Sequence, residues 1–269
     1  MTATKAVYTH GHHESVLRSH RWRTAENSAG YLLTHLQQGM TVLDVGCGPG
    51  TITADLAAIV APGRLVAVEV SADALEIARS EAATRGQANI DFALGDVNDL
   101  EFPDASFDVV HAHQVLQHVA DPVSALREMR RVCKPGGVVA VRDSDYAGFC
   151  WYPEVPALDD WRALYHAVAK ANGGDPDAGR KLLSWAQAAG FSEVHASSAT
   201  WCFATPADRA WWGDLWADRI VSSAMAGHAL ASAAATPDEL AAMAAGWRAW
   251  AAADDGWMSV LHGQIVCRR

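Results

Sequence analysis

No run of about 18 apolar residues occurs anywhere in the 269-residue chain, so no membrane-spanning helix is expected. Paired cysteines are missing too. Cys47, Cys133, Cys150, Cys202 and Cys267 are scattered, odd in number and free of any C-x-x-C spacing, which excludes a complete disulfide framework and fits a reduced, cytoplasmic compartment. Positive charge is scarce. Lys and Arg total 21 against 31 Asp and Glu, a formal net charge of −10, which argues against an extended phosphate-binding surface and hence against DNA or RNA as partners. The stretch from Tyr8 to Arg23 is strongly polar and holds no apolar signal core. Nor is there a recognised metal-ligand spacing. His10, His12, His13 and His20 cluster near the start, but no cysteine or carboxylate set accompanies them, so no metal is expected. Monomer and homodimer both remain open.

What is present begins with an apolar half of the composition, enough for one large domain or one domain with an appended part. Thr41-Val42-Leu43-Asp44-Val45 reads as a short buried strand. Glycines follow at alternate positions, Gly46, Gly48 and Gly50, and then a helical pattern from Ile52 to Val60. Strand, glycine-rich turn and helix together bring bare backbone close to a ligand. The helix start offers unpaired N–H groups. In a dinucleotide-binding turn, G-x-G-x-x-G, the third glycine follows the second by three positions. Thr51 occupies that place here, and Gly50 comes one residue early. Asp44 beside the turn suits a cationic ligand better than a pyrophosphate. A nicotinamide-dependent oxidoreductase is therefore an alternative that both features oppose.

Further along, strands and helices alternate. Arg64–Val70 is a second strand ending near Glu69, whose carboxylate is placed to accept both hydroxyls of a ribose. A helix over Ala72–Thr84 follows, then a third strand, Asn89–Leu94, ending in Gly95-Asp96-Val97. Asp96 suits an exocyclic amine such as adenine N6, or equally a turn cap. Phe107–Ala112 forms a fourth strand, with His113 and Gln114 after it and His118 about one helical turn beyond. Asp121-Pro122 opens a helix that Lys134-Pro135-Gly136-Gly137 closes before a fifth strand, Val138–Val141.

Asp44, Gly46, Gly48 and Gly50 match the D-x-G-x-G-x-G motif, so this stretch resembles the first motif of class I S-adenosylmethionine-dependent methyltransferases. The G-D pair at Gly95-Asp96 also resembles that family. The F-D-x-V run from Phe107, the segment from His113 to Asp121-Pro122 and the Pro-Gly-Gly turn are similar to the ubiquinone- and menaquinone-biosynthesis members. The resemblance spans about residues 40–145. It implies an α/β, doubly wound, mostly parallel seven-stranded sheet of Rossmann-like type. It implies S-adenosyl-L-methionine as cofactor, held by Tyr8, Arg23, Asp44, Gly46, Cys47, Gly48, Gly50, Thr51, Glu69, Val70, Asp96, Val97, His113, Gln114 and His118. It also implies a methyl acceptor of small, apolar or aromatic kind, methylated on O, C or N. A cofactor-binding but non-methylating member of the fold is the second alternative.

Residues 1–38 are expected to form an N-terminal helical cap with helices over Ser15–Asn27 and Ser28–Gln38, and 39–269 the main domain. Beyond residue 145 an irregular aromatic stretch carries Tyr146, Phe149, Trp151 and Tyr152. Helices over Leu158–Lys170 and Ala178–Ala189 and strands over Phe191–Thr200 and Trp257–Cys267 follow. Residues 206–254, between those last two strands, read as a helical lid with Trp211, Trp212, Trp216, Trp247 and Trp250 on helix faces. Such tryptophans form core more often than pocket. If the acceptor needs a base, His118, His113 and His10 are the candidates, because histidine titrates near neutrality. Catalysis by proximity alone is the competing reading.

Overall fold

The computed structural model describes Thr9 and residues 14–269. Tyr8, His10, His12 and His13 lie outside the described residues, and so do the roles expected of Tyr8 and His10. Two short helices lead in, α1 (Glu14–Arg21) and α2 (Ala25–Leu33). Then come β1 (Thr41–Val45), α3 (Thr51–Val60), β2 (Arg64–Glu69), α4 (Ala72–Thr84) and β3 (Ile90–Leu94). The central part continues with β4 (Phe107–His113), α5 (Pro122–Val132), β5 (Cys133–Ser144), β6 (Cys150–Tyr152), α6 (Pro156–Ala171) and α7 (Leu182–Ala188). The last part is β7 (Glu193–Phe203), α8 (Pro206–Ser222), α9 (Ala224–Ala231), α10 (Pro237–Ala252) and β8 (Trp257–Arg268).

The sheet runs β3-β2-β1-β4-β5-β8-β6, and β7 pairs with β8. From β1 to β5 all pairings are parallel, while β8 is antiparallel to β5, β6 and β7. Strand order reverses between β1 and β4. In an open α/β sheet that reversal leaves a crevice beyond the carboxyl ends of the two strands. The glycine turn after β1 and His113 at the end of β4 therefore meet there.

Among the described residues eight strands form, one more than the seven expected. The extra strand, β6, lies in the aromatic stretch read as irregular, where Cys150–Tyr152 pairs with Ser259–Trp257. β8 extends past the end of β5 and leaves that part of its edge open for the short strand. Two other boundaries move for local reasons. Thr24 caps α2 in a reciprocal box with Asn27, so the first helix stops at Arg21 and the second starts earlier than Ser28. β5 starts at Cys133 because Pro135-Gly136-Gly137 is absorbed as a bulge, with Gly136 at φ 77°, between the Phe107–Cys133 and Val109–Val138 pairings.

Both sheet faces are covered. α2 and α3 pack Leu32, Leu56 and Val60 onto Val42, Leu65 and Ala140. α5 and α7 pack Leu126, Met129 and Leu182 onto Val110, Val139 and Ile265 on the opposite side. A third cluster stands beside the sheet, where α6, α8, α9 and α10 enclose Trp161, Trp216, Trp247 and Trp250. Trp161 meets Trp216 and Trp247 edge-on at centroid distances of 4.6 and 4.8 Å. Such T-shaped contacts suit the aromatic quadrupole. No helix among the described residues is long and apolar enough to cross a membrane.

Candidate active site

The three glycines of the turn all have positive φ, 68°, 53° and 85° at Gly46, Gly48 and Gly50, which L side chains rarely adopt. Their reasons for being glycine differ. A Cβ on Gly46 would collide with Cγ2 of Val115, and one on Gly50 would lie 2.9 Å from the Ala78 backbone. A Cβ on Gly48 would meet only Nδ1 of His20, at 3.9 Å. Gly46 and Gly50 are therefore closed in by protein, whereas Gly48 faces open space.

That space is a cavity of about 640 Å³ at the strand-order reversal. Arg23, Asp44, Gly46, Cys47, Gly48, Thr51, Glu69, Val70, Asp96, Val97, His113, Gln114 and His118 all line it. Gly50 is absent from the wall; it lets the turn pack on α4 instead. The structure thus gathers nearly every described candidate around one chamber.

Its carboxylates are organised by the turn itself. Asp44 is buried, and its two oxygens accept from Thr53 Oγ1 at 2.6 Å and pair with His111 Nδ1 at 2.8 Å. Both partners tie β1 to its neighbours, so Asp44 braces the turn as well as lining the cavity. Glu69 accepts from the backbone N–H groups of Gly48 at 3.1 Å and Val70 at 2.8 Å. Asp96 accepts from the backbone and side-chain nitrogens of Asn98 at 3.0 and 3.1 Å.

The far wall is built from side chains distant in sequence. Gln114 stands at φ 55°, rare for a residue with a side chain, and its amide is used at both ends. Oε1 accepts from Arg23 Nη2 at 2.8 Å, while Nε2 reaches Ser144 Oγ at 2.8 Å and His262 Nε2 at 2.9 Å. Nδ1 of the same ring lies 3.0 Å from the Val260 carbonyl and 3.2 Å from Arg142 Nη2. Aromatic faces from Tyr146, Phe149, Trp201, Trp212 and Trp216 complete this side, with Arg219 among them.

Three of the imidazoles, His113, His118 and His262, are held neutral near pH 7. Burial holds His113 well below the ordinary imidazole range, and the Arg23 and Arg142 guanidiniums add to it. Burial and the same two arginines do likewise for His262. Desolvation, then Arg23, pushes His118 down to about 3. His113 has a further property. It is only 7% exposed, and neither ring nitrogen has a hydrogen-bond partner among the described residues. Buried polar atoms are almost always satisfied, so a buried, unsatisfied ring on a cavity wall marks a place for a ligand polar group.

Some wall residues escaped sequence reasoning. His111 shares a strand face with His113 at the period-2 spacing, a signal present in the sequence. Ser144 and Arg219 carried no comparable signal, because only the tertiary fold brings them to the cavity. Trp212 and Trp216 reach the wall, while Trp247 and Trp250 are core.

The chamber fits a compact cationic cofactor with hydroxyl and amine groups. Gly48 leaves bare backbone, acids stand at the ends of β1 and β2 and after β3, and Arg23 offers a cation to a carboxylate. A methyltransferase-domain profile matches residues 36–190. An uncharacterized methyltransferase of Schizosaccharomyces pombe is 36% identical over 97% of this chain and 96% of its own. The ubiquinone/menaquinone biosynthesis C-methyltransferase UbiE of Hahella chejuensis is 37% identical over 39% of this chain and 43% of its own. A putative methyltransferase from Bacillus halodurans has a solved structure that superposes with TM-score 0.54 at 20% identity, over 88% of this chain and 97% of that one. At that identity it reports the fold alone. With the turn, the sheet order and these relationships together, the chain belongs to the S-adenosylmethionine-dependent methyltransferases.

Proposed function

We propose that the protein methylates a small, planar, largely apolar metabolite on an oxygen, carbon or nitrogen nucleophile. The observation that carries this reading is the junction of two unlike walls in one cavity, glycine-turn backbone and carboxylates on one side, five aromatic faces on the other. Bound there, the cofactor supplies a methyl group already activated on a sulfonium.

The chain's own residues then divide the work. Gly46, Cys47, Gly48 and Thr51 form the floor for the cofactor, Glu69 with Val70 takes the ribose hydroxyls, and Asp96 with Val97 takes the adenine edge. Arg23, held by Gln114, faces the cofactor carboxylate. Asp44 keeps the turn in shape through Thr53 and His111. His113 hydrogen-bonds the acceptor, and His118 stands beside it on the same wall. Because His118 is neutral with a pKa of about 3, it is a poor proton acceptor at pH 7 and a better neutral hydrogen-bonding group. Alignment of acceptor and donor, with water excluded by the aromatic wall, is the main catalytic device. α8, α9 and α10, between β7 and β8, act as the lid over this chamber, and the helices of residues 1–38 as its cap. A reducing, cytoplasmic setting accords with five thiols, none of them in a disulfide. The net charge of −10 accords with a small-molecule partner and against nucleic acid.

Transfer of labelled methyl from S-adenosylmethionine to an extracted metabolite pool tests the reading directly. Label should enter a small organic fraction; cofactor binding with no transfer to any pool would leave a binding protein in its place. His118→Ala should lower turnover up to about tenfold, through loss of one hydrogen bond, with cofactor affinity unchanged. Wild-type turnover in that variant would dispose of the His118 role.

A further inference from the structure

The carboxyl ends of four parallel strands follow one another along the cavity in the order β3, β2, β1, β4. Asp96 stands after β3, Glu69 at the end of β2, the glycine turn after β1 and His113 at the end of β4. Val45 pairs with Ala112, so His113 follows beside Gly46. A cofactor laid along that edge, with adenine at Asp96 and ribose at Glu69, carries its amino-acid end past the glycine turn to β4. That end bears an ammonium, a group that only donates hydrogen bonds.

His113 also touches the aromatic wall. Its ring centroid lies 6.0 Å from that of Trp201 and 6.3 Å from that of His262. The ring is buried on the cavity wall, and neither Nδ1 nor Nε2 has a hydrogen-bond partner among the described residues. Burial, with the Arg23 and Arg142 charges nearby, keeps it neutral. A neutral imidazole carries one N–H and one lone pair. Two unmet groups of opposite kind on one buried ring, where the two walls join, suit two ligand partners of opposite kind.

We propose that His113 couples the two ligands of the cavity: one ring nitrogen accepts from the cofactor's ammonium, and the other donates to an oxygen of the methyl acceptor, an aryl hydroxyl or carbonyl. This rests on the reading of the cavity as a joint cofactor and acceptor site. An ammonium has no lone pair to offer, so the ring nitrogen that meets it is the unprotonated one. The single ring proton then sits on the other nitrogen, where it selects an oxygen lone pair. The bound cofactor thus fixes one tautomer, and the positive charge behind the ring strengthens its remaining N–H as a donor. By linkage, the acceptor tightens the cofactor by the same factor. His113 is thereby a specificity-determining residue that favours an oxygen-bearing arene over the matching hydrocarbon, which would leave the ring unpaired.

The test measures affinities by equilibrium dialysis on the full chain, with 1-naphthol and 1-methylnaphthalene as acceptor probes. The chain is saturated with S-adenosylhomocysteine or, separately, with its deaminated analogue, in which hydrogen replaces the amino group. On the S-adenosylhomocysteine complex, 1-naphthol should bind about tenfold more tightly than 1-methylnaphthalene. It should also bind that complex about fivefold more tightly than the deaminated one, and 1-methylnaphthalene should not distinguish the two. His113→Phe keeps a ring and removes both nitrogens, so both differences should vanish while the melting temperature holds or rises. Equal binding of 1-naphthol to the two wild-type complexes, a preference for 1-methylnaphthalene, or no binding of either probe would overturn the proposal, whether or not the variant folds. Differences that persist in His113→Phe would overturn the assignment to His113. Failure of S-adenosylhomocysteine to bind the wild-type chain would instead overturn the underlying reading of the cavity. A merely structural role would lower the melting temperature of the variant and leave both ratios as in the wild type.

Discussion

The two walls of the cavity are made in opposite ways. The glycine-turn wall is local. Asp44 to Thr51 supplies most of it within eight consecutive residues, and its partners Glu69 and Asp96 stand at the next two strand ends. Its chemistry is mostly backbone, and positive φ at three glycines shapes it. The aromatic wall is assembled at long range. Arg23, Gln114, Ser144 and His262 are bonded to one another across the sheet, and Trp201, Trp216 and Arg219 come from β7 and α8. One wall repeats a short local geometry, whereas the other is made of whatever side chains β5, β7 and α8 bring together. The first wall is accordingly intolerant of added atoms and the second of lost ones.

Three substitutions would break or sharpen that contrast. The largest effect is expected at Trp247, which is fully buried against Trp161 and Trp216. Trp247→Ala should cost about 3–5 kcal/mol, read as a loss of thermal or urea stability. Below its melting temperature the variant should still bind S-adenosylhomocysteine with wild-type affinity, because the glycine-turn wall is separate. Comparable loss of cofactor affinity would mean that the two walls are one cooperative unit.

Gly50→Ala addresses the other wall. The new methyl would lie 2.9 Å from the Ala78 backbone at a residue with φ 85°. The strain of a left-handed L residue and the displaced helix should together cost roughly 2–4 kcal/mol. Here cofactor affinity should fall along with stability, measured by calorimetry and thermal melting. Intact affinity would show that the turn tolerates movement of α4.

The smallest effect tests a site beside both walls. Asp143 is fully buried, with Oδ1 accepting from the Gln117 backbone at 3.1 Å and Oδ2 without a hydrogen-bond partner among the described residues. Desolvation pushes its pKa up to about 8, against the downward pull of the Gln117 and Leu116 backbone. The folded protein therefore holds a proton that the unfolded chain releases near pH 4. The stabilising contribution of the neutral acid is complete below the unfolded value and is lost as pH rises from about 4 to about 8. Asp143→Asn keeps a neutral group of the same shape, so it should raise stability at pH 8 and change it little at pH 4, measured by urea unfolding at the two pH values. A gain of equal size at both pH values would show that the carboxyl is not protonated in the fold.

Legibility followed the same division. Asp44, Gly46, Gly48, Glu69 and Asp96 could be placed from strand-end spacing, since a parallel sheet forces successive strand ends to one edge. His113 and Gln114 followed from the end of the fourth strand. β6 was not legible, because three residues of an aromatic stretch become a strand only when β8 offers an open edge. Arg219 and Ser144 were not legible either. Arg219 lies at one turn of a helix whose facing is decided by the packing of Trp212 and Trp216, and Ser144 is turned to the cavity by the pleat of β5. Trp212 and Trp247 look alike in sequence, and only their helix–helix contacts make one a wall and the other core.

By itself, then, the sequence determined the alternation of strands and helices, the turn that only glycine can make, and the family to which that turn points. These depend on local backbone sterics and on periodicities that neighbouring residues set. The tertiary structure alone decided which distant side chains share the chamber, which imidazoles burial keeps neutral, and that two guanidiniums stand among the aromatic faces. Those depend on desolvation and on contacts between residues far apart in sequence, such as Arg219 and Ser15, 204 positions apart. The glycine turn thus points to the cofactor, and the proposed acceptor wall exists only in the folded chain.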